Sequence, residues 1–263
     1  MIKIGLIGFG AIGRCVIETL PKALTEEYEV IGILTRKAAD NLVNNIPSYS
    51  DIDQLLAKQP DIIVECAGHH AVKEYGCKIL EANISLVISS IGALADRDLY
   101  QQLKDSSTAH KVKIYLPAGA IGGIDALVAA KLGGIHDVTY TMRKPPKAWQ
   151  GSVAETVVDL NSLKQATVIF SGSAGEAATL YPKNTNVTAT IALAGLGFDE
   201  TKVELIADPN IIDNIHEISV SGETGYFTIV LKGKPSVFNP KTSALTAFSV
   251  TKCVADFGSS III

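Results

Sequence analysis

At 263 residues the chain is long enough for one large or two small domains, and with 47% hydrophobic and 19% charged residues it has ample material for buried cores, which excludes a disordered chain. A net charge of −4 without a basic run excludes the electrostatic footprint of a nucleic-acid binder, and no stretch reaches the roughly 18 unbroken apolar residues of a spanning helix. The N-terminus lacks the small-residue cleavage site of a secretion signal, and Cys15, Cys66, Cys77 and Cys253 form no CxxC pair, so a soluble, cytoplasmic protein with free thiols and no metal site is expected.

The run IKIGLIG at residues 2–8 is continuously apolar, as suits a strand buried on both faces, and residues 11–24 follow with helical spacing. Further strands are predicted at 29–35, 61–68, 85–90 and 111–117, with helices at IDQLLAK, at 69–82 and near 96–104. This strand–helix rhythm predicts a Rossmann-type, doubly wound parallel sheet over residues 1–120. Beyond about residue 134 the pattern alternates apolar and polar in DVTYTMRKPP, TKVELIAD, HEISVSG and YFTIVLKG, around a helical block at 174–197. The fold class is therefore α/β, with residues 121–240 forming a second α+β domain whose sheet is mostly antiparallel. A last helix, 241–258, is placed to return to the first domain. Trp149 lies in the irregular stretch PPKAWQG, as a cover for a cleft or a contact between subunits.

The turn GFGAIG sets Gly8, Gly10 and Gly13 between the first strand and the first helix, the context in which GxGxxG binds a dinucleotide. The first glycine permits the tight turn, the second lets backbone approach the pyrophosphate and the third lets helix and strand pack closely. With Ala11 and Ile12 they open a helix whose free N–H groups and dipole favour phosphate. The second strand ends in Thr35, Arg36 and Lys37 rather than an acidic residue. Two cations there suit a 2′-phosphate, so NADP is favoured with NAD left open; the alternative is a solvated pair beginning a loop. Ala67 and Gly68, after the third strand, are small enough to admit a ribose or nicotinamide. His69 and His70 are adjacent and so diverge by about 100° on a helix, which makes a poor chelate. His110 and His136 read as surface residues in loops, and Cys66 has no base beside it in sequence.

The segments ECAG, SSIGAL, AGAIGGIDAL, RKPP, GEAATLYPKNTNVTATIALAGLG, DPNIIDNIHEI and NPKTSAL occur in that order. Together, over residues 8–243, they resemble the L-aspartate dehydrogenase family of NAD(P)-dependent enzymes, with Gly68 and Ala118 where serine is common. The resemblance implies oxidative deamination of L-aspartate to oxaloacetate and ammonia through iminosuccinate, or the reverse amination, by a homodimer or larger homo-oligomer. It further implies a catalytic His216, and contacts from Ala120 and Asn186 to the nicotinamide end of the cofactor. A role in supplying iminosuccinate to nicotinamide-ring synthesis is compatible with it.

The chemistry asks for the same residue types. Hydride leaves the α-carbon only when the amine offers its lone pair, so the ammonium must first lose a proton, and hydrolysis of the imine moves further protons. An imidazole with a pKa near ~6.5 suits that work, and His216 sits in a dense polar motif. A dicarboxylate needs cations or hydroxyls; Arg143, Lys144, Lys183, Lys241, Thr242, Ser243 and the amide of Asn184 are available, each with a solvated-loop alternative. Rival readings are a dihydrodipicolinate-reductase or homoserine-dehydrogenase type of enzyme on the same plan, and a dinucleotide-binding regulator without turnover.

Overall fold

The structure, a computed structural model, describes residues 1–24, 27–37, 45–182, 185–234 and 243–262. The chain divides into two compact units, one of residues 1–117 with 246–263 and the other of residues 118–245.

In the first unit the strands are β1 (Ile2–Ile7), β2 (Tyr28–Leu34), β3 (Ser48–Tyr49), β4 (Ile62–Glu65), β5 (Ser85–Ile88) and β6 (Ile114–Tyr115). They form one sheet in the order β3-β2-β1-β4-β5-β6, every pairing parallel. The central strands β4 and β5 are buried at every residue, as continuous apolar runs require when helices cover both faces. The helices are α1 (Ala11–Ala23), α2 (Ile52–Leu56), α3 (His69–Glu81) and α4 (Arg97–His110), with a 3₁₀ turn at Ile91–Ala95. Strand order reverses between β1 and β4, so the carboxyl ends of these two strands border the crevice where such sheets bind ligands.

The second unit holds α5 (Ile124–Gly133), β7 (Ile135–Lys144), α6 (Ala154–Val157), β8 (Thr167–Ser173), α7 (Ala174–Leu180), α8 (Asn186–Ala194), α9 (Gly197–Glu200), β9 (Lys202–Ala207), β10 (Asn214–Gly222) and β11 (Gly225–Gly233). Its sheet runs β11-β10-β7-β9-β8, antiparallel except for the parallel pair β7–β9. The helical block expected at 174–197 holds two helices, α7 and α8, with α9 beginning at its last residue. Pro182 has no N–H to donate and disfavours helical backbone at Tyr181, so α7 stops at Leu180. Trp149 neither covers a cleft nor waits for a partner. It ends a 3₁₀ turn, is fully buried in this unit's core, packs edge-on against Tyr181 and donates its indole N–H to the Ile206 carbonyl at 3.1 Å.

The last helix, α10 (Ala244–Gly258), packs on the first unit. Val250 and Val254 are fully buried among Ile4, Val16, Leu20 and Val64, each contributing about 1.5–3 kcal/mol by burial. The Thr251 hydroxyl meets that of Thr19 at 2.8 Å, and Phe257 meets Tyr115 edge-on. No helix among the described residues is long and apolar enough to cross a membrane.

Candidate active site

The glycine turn of the first unit is built by three different constraints. Gly8 has φ +89°, and a Cβ there would lie 2.9 Å from the Ala67 backbone. A Cβ at Gly13 would lie 2.5 Å from the Gly8 carbonyl oxygen, so this position belongs to helix–strand packing. Gly10, the N-cap of α1, has φ −82° and open space within 4 Å of where a Cβ would stand. No side chain caps α1 and no carboxylate lies in its first turn at Ala11, Ile12 and Gly13. An open cradle before an uncapped, unshielded helix N-terminus fits a pyrophosphate. Beside it the Arg14 guanidinium lies 4.6 Å over the Phe9 ring.

At the end of β2 the Thr35 hydroxyl donates to the Lys37 carbonyl at 2.8 Å, closing a small turn that leaves Arg36 and Lys37 exposed. The structure therefore employs Thr35 in shaping that turn, with its hydroxyl proton already placed.

Ala67 and Gly68 are held by a residue that sequence reasoning passed over. Glu65, the last residue of β4, is buried, and one carboxylate oxygen accepts from the N–H groups of Ala67 and Gly68, both at 2.7 Å. It also accepts the Ser90 hydroxyl at 2.9 Å, while the other oxygen accepts the Ser90 N–H at 3.0 Å. Burial raises the Glu65 carboxyl pKa, against these donors, which lower it. The signal was an acidic residue closing an apolar strand in DIIVECAG. Gly68 takes φ +118°, so the loop depends on its glycine as well as on that carboxylate.

Neighbouring residues carry less chemistry. Burial, then the Glu65 charge, push the Cys66 thiol well above its ordinary value, which makes it a poor nucleophile. His69 and His70 begin α3 and line a cavity of about 520 Å³ with Lys73, Glu74 and Asp96. His70 meets Glu74 at 3.1 Å and Lys73 meets Asp96 at 3.3 Å. His110 and His136 are not in loops: His110 closes α4, and His136 lies on β7, 2.9 Å from Glu223.

The second centre lies on the sheet of the second unit. His216 is on β10, opposite Met142 of β7, and only 3% exposed. Residues two apart on a strand share a face, so Tyr140, Met142 and Lys144 project together, and all three are buried. The Tyr140 phenol meets His216 Nδ1 at 2.7 Å. Burial lowers the Lys144 ammonium pKa to about 8, and its Nζ lies 5.4 Å from the Trp149 ring centroid. Burial, and after it the Lys144 charge, lower the His216 imidazole to about 3. The expected ordinary value near ~6.5 is thus not that of the folded protein, because the imidazolium has lost its water and faces a like charge.

The candidate cations separate. Arg143 and Lys144 are strand residues on opposite faces rather than loop cations. Arg143 pairs with the buried Asp208 at 3.2 Å, and the Asp208 N–H in turn donates to the Lys144 carbonyl at 2.9 Å. Lys144 alone of the two shares the His216 face. Lys183, Asn184, Lys241 and Thr242 lie outside the described residues. Asn186 opens α8, whose N-cap, Thr185, makes no side-chain cap. Ala120 is buried between Gly119 and the glycines that lead into α5, where Gly123 holds φ +71° with Ile229 packed against it.

Strand order and glycine turn together put the chain in the class of NAD(P)-dependent dehydrogenases. Comparison with known proteins narrows the class. Residues 8–117 match the family described as "Homoserine dehydrogenase, NAD binding domain", and residues 125–257 that described as "Aspartate dehydrogenase, C-terminal". The chain is 42% identical to an L-aspartate dehydrogenase of Cupriavidus necator, over 97% of each chain, and 45% identical to one of Acinetobacter baumannii, over 96% of each. A crystal structure of aspartate dehydrogenase from Thermotoga maritima superposes with a TM-score of 0.81 at 28% identity, covering 100% of this chain and 99% of that one. The chain belongs to the L-aspartate dehydrogenase family.

Proposed function

We propose that the protein catalyses the NAD(P)-dependent oxidative deamination of L-aspartate to oxaloacetate and ammonia through iminosuccinate, and the reverse amination, with His216 as the acid/base. The observation that carries this reading is the pairing of a buried imidazole with a buried ammonium on one sheet face, in the unit that matches the aspartate dehydrogenase family.

The residues divide the work. When bound, the nicotinamide takes the hydride from the substrate α-carbon or returns it. The turn at Gly8, Gly10 and Gly13 and the N-terminus of α1 hold the pyrophosphate, with Ala67 and Gly68 bordering the ribose end. Arg36 and Lys37, exposed where an acid would reject a 2′-phosphate, support use of NADP beside NAD. Ala120 and Asn186 serve the nicotinamide end. Lys144 supplies the positive charge for a substrate carboxylate, since it projects on the His216 face of the sheet and Arg143 on the other. A dianion beside Lys144 and His216 raises both pKa values, which brings the imidazole toward the range where it exchanges protons with the amine and with the attacking water. Lys183, Asn184, Lys241 and Thr242 remain substrate candidates by residue type alone. The reading includes a cytoplasmic homo-oligomer, and the exposed Tyr226 and Val230 of edge strand β11 are consistent with association.

The test is an activity matrix of L-aspartate, D-aspartate, L-homoserine, and oxaloacetate with ammonia, each with both cofactors. L-Aspartate and the oxaloacetate–ammonia pair are expected to turn over, with NADP accepted, and L-homoserine to be inert. His216→Ala is expected to lower kcat by about 10²–10⁴ while dinucleotide affinity is kept. Faster turnover of L-homoserine, or full activity in His216→Ala, would sink the reading.

A further inference from the structure

Tyr140 is fully buried at the middle of β7, and its phenol meets Nδ1 of His216 at 2.7 Å. The two rings are parallel to within 1° with centroids 6.1 Å apart, so the contact runs edge to edge rather than face to face. Phenol O–H and imidazole lone pair both lie in their ring planes, so this geometry suits a hydrogen bond between them.

A neutral imidazole carries one N–H and one lone pair, which leaves two ways to make the bond. Either the phenol donates to a bare Nδ1, or Nδ1–H donates to the phenol oxygen. In the second case the phenol proton needs another acceptor. Among the described residues His216 is the only hydrogen-bond partner of that hydroxyl, so the second arrangement leaves a buried O–H unsatisfied. A tyrosinate, which would need no such acceptor, is ruled out by burial, which raises the phenol pKa well above 10. The first arrangement satisfies both groups of this contact, the phenol O–H and the Nδ1 lone pair.

We propose that Tyr140 is the positioning residue that sets the His216 tautomer: its phenol donates to Nδ1, the ring proton sits on Nε2, and His216 meets the reactant as a hydrogen-bond donor. This rests on the reading of His216 as the catalytic imidazole and deepens it. An Nε2–H group complements an acceptor, such as the C2 carbonyl oxygen of a keto acid or the hydroxyl of a carbinolamine. It does not complement an ammonium, which has no lone pair to offer. The resting protein is therefore set for the keto-acid side of the reaction. Base work at Nε2 requires the phenol to turn and the ring proton to move to Nδ1.

The experiment is long-range ¹H–¹⁵N NMR of the full chain labelled at its five histidines, at neutral pH, with His216 assigned from the signals lost in His216→Gln. A bare Nδ1 and a protonated Nε2 are expected; a protonated Nδ1 overturns the proposal, whatever the variants do. Tyr140→Phe is expected to shift His216 toward a mixture of tautomers and to lower kcat for oxaloacetate with ammonia at least ~10-fold, with dinucleotide KM unchanged. An unchanged His216 spectrum and rate in that variant also overturns it. If Tyr140→Phe does not fold, the wild-type spectrum decides alone. Should the spectrum show Nε2–H while His216→Ala keeps full turnover, the tautomer assignment stands and the catalytic role of His216 falls.

Discussion

Glu65 shows how one buried side chain can organise backbone at a binding edge. Its carboxylate gathers two N–H groups of the β4–α3 loop and both donors of Ser90. Glu65→Gln keeps the shape but turns one acceptor into a donor facing donors. A loss of about 1–3 kcal/mol is expected, read as a lower first thermal transition and a raised dinucleotide KM. If neither changes, the carboxylate is not what orders Ala67 and Gly68. The residue was visible in DIIVECAG, but its role was not, because Ser90 lies 25 positions away. His216 was singled out from its motif, yet its state was misjudged. A pKa near ~6.5 assumes water around the ring, and burial on β10 removes it.

Elements separate glycines that look alike in a motif. Gly8 and Gly13 serve the fold, through positive φ and through packing against backbone. Gly10 faces open space with an ordinary φ, so nothing in the fold requires it. Gly10→Ala is therefore expected to change stability by no more than about 0.5 kcal/mol while weakening dinucleotide binding at least ~10-fold, measured by calorimetry beside thermal unfolding. Equal affinity in the variant would show that the pyrophosphate does not approach that backbone. The parallel strands were legible because burial on both faces makes them continuous apolar runs. The 174–197 block reads as continuously helical because its small apolar residues suit helix, and Pro182 marks the break between α7 and α8. Arg143 and Lys144 stand as equal substrate candidates in RKPP, although the alternation in DVTYTMRK already places them on opposite faces of a strand.

At the scale of the whole molecule, the buried His216 and Lys144 make stability depend on pH. The His216 pKa falls from 6.5 unfolded to about 3 folded. The unfolded chain thus binds the extra proton between those values, and stability is lost as pH falls through them. Lys144 falls from 10.5 to about 8, so its contribution rises as pH climbs between about 8 and 10.5, where the unfolded chain still holds a proton the folded one has lost. Trp149, the sole tryptophan, is buried in the second unit, so its emission follows the unfolding of that unit. Urea unfolding read at Trp149 is expected to show a slope of up to ~1.4 kcal/mol per pH unit in each window. Lys144→Met should flatten the alkaline rise and leave part of the acid slope. An alkaline rise that survives in Lys144→Met assigns it to another group.

The amino-acid sequence by itself determined the alternation of elements, the glycine turn and the one histidine worth testing, because hydrophobic period and motif spacing are written in residues close along the chain. Only the tertiary structure decided what those residues are chemically. Tyr140 and His216 stand 76 positions apart, Arg143 and Asp208 65 apart, and Trp149 and Ile206 57 apart. Protonation state and the occupation of a charge depend on burial and on such partners, and neither is a property of the neighbouring sequence.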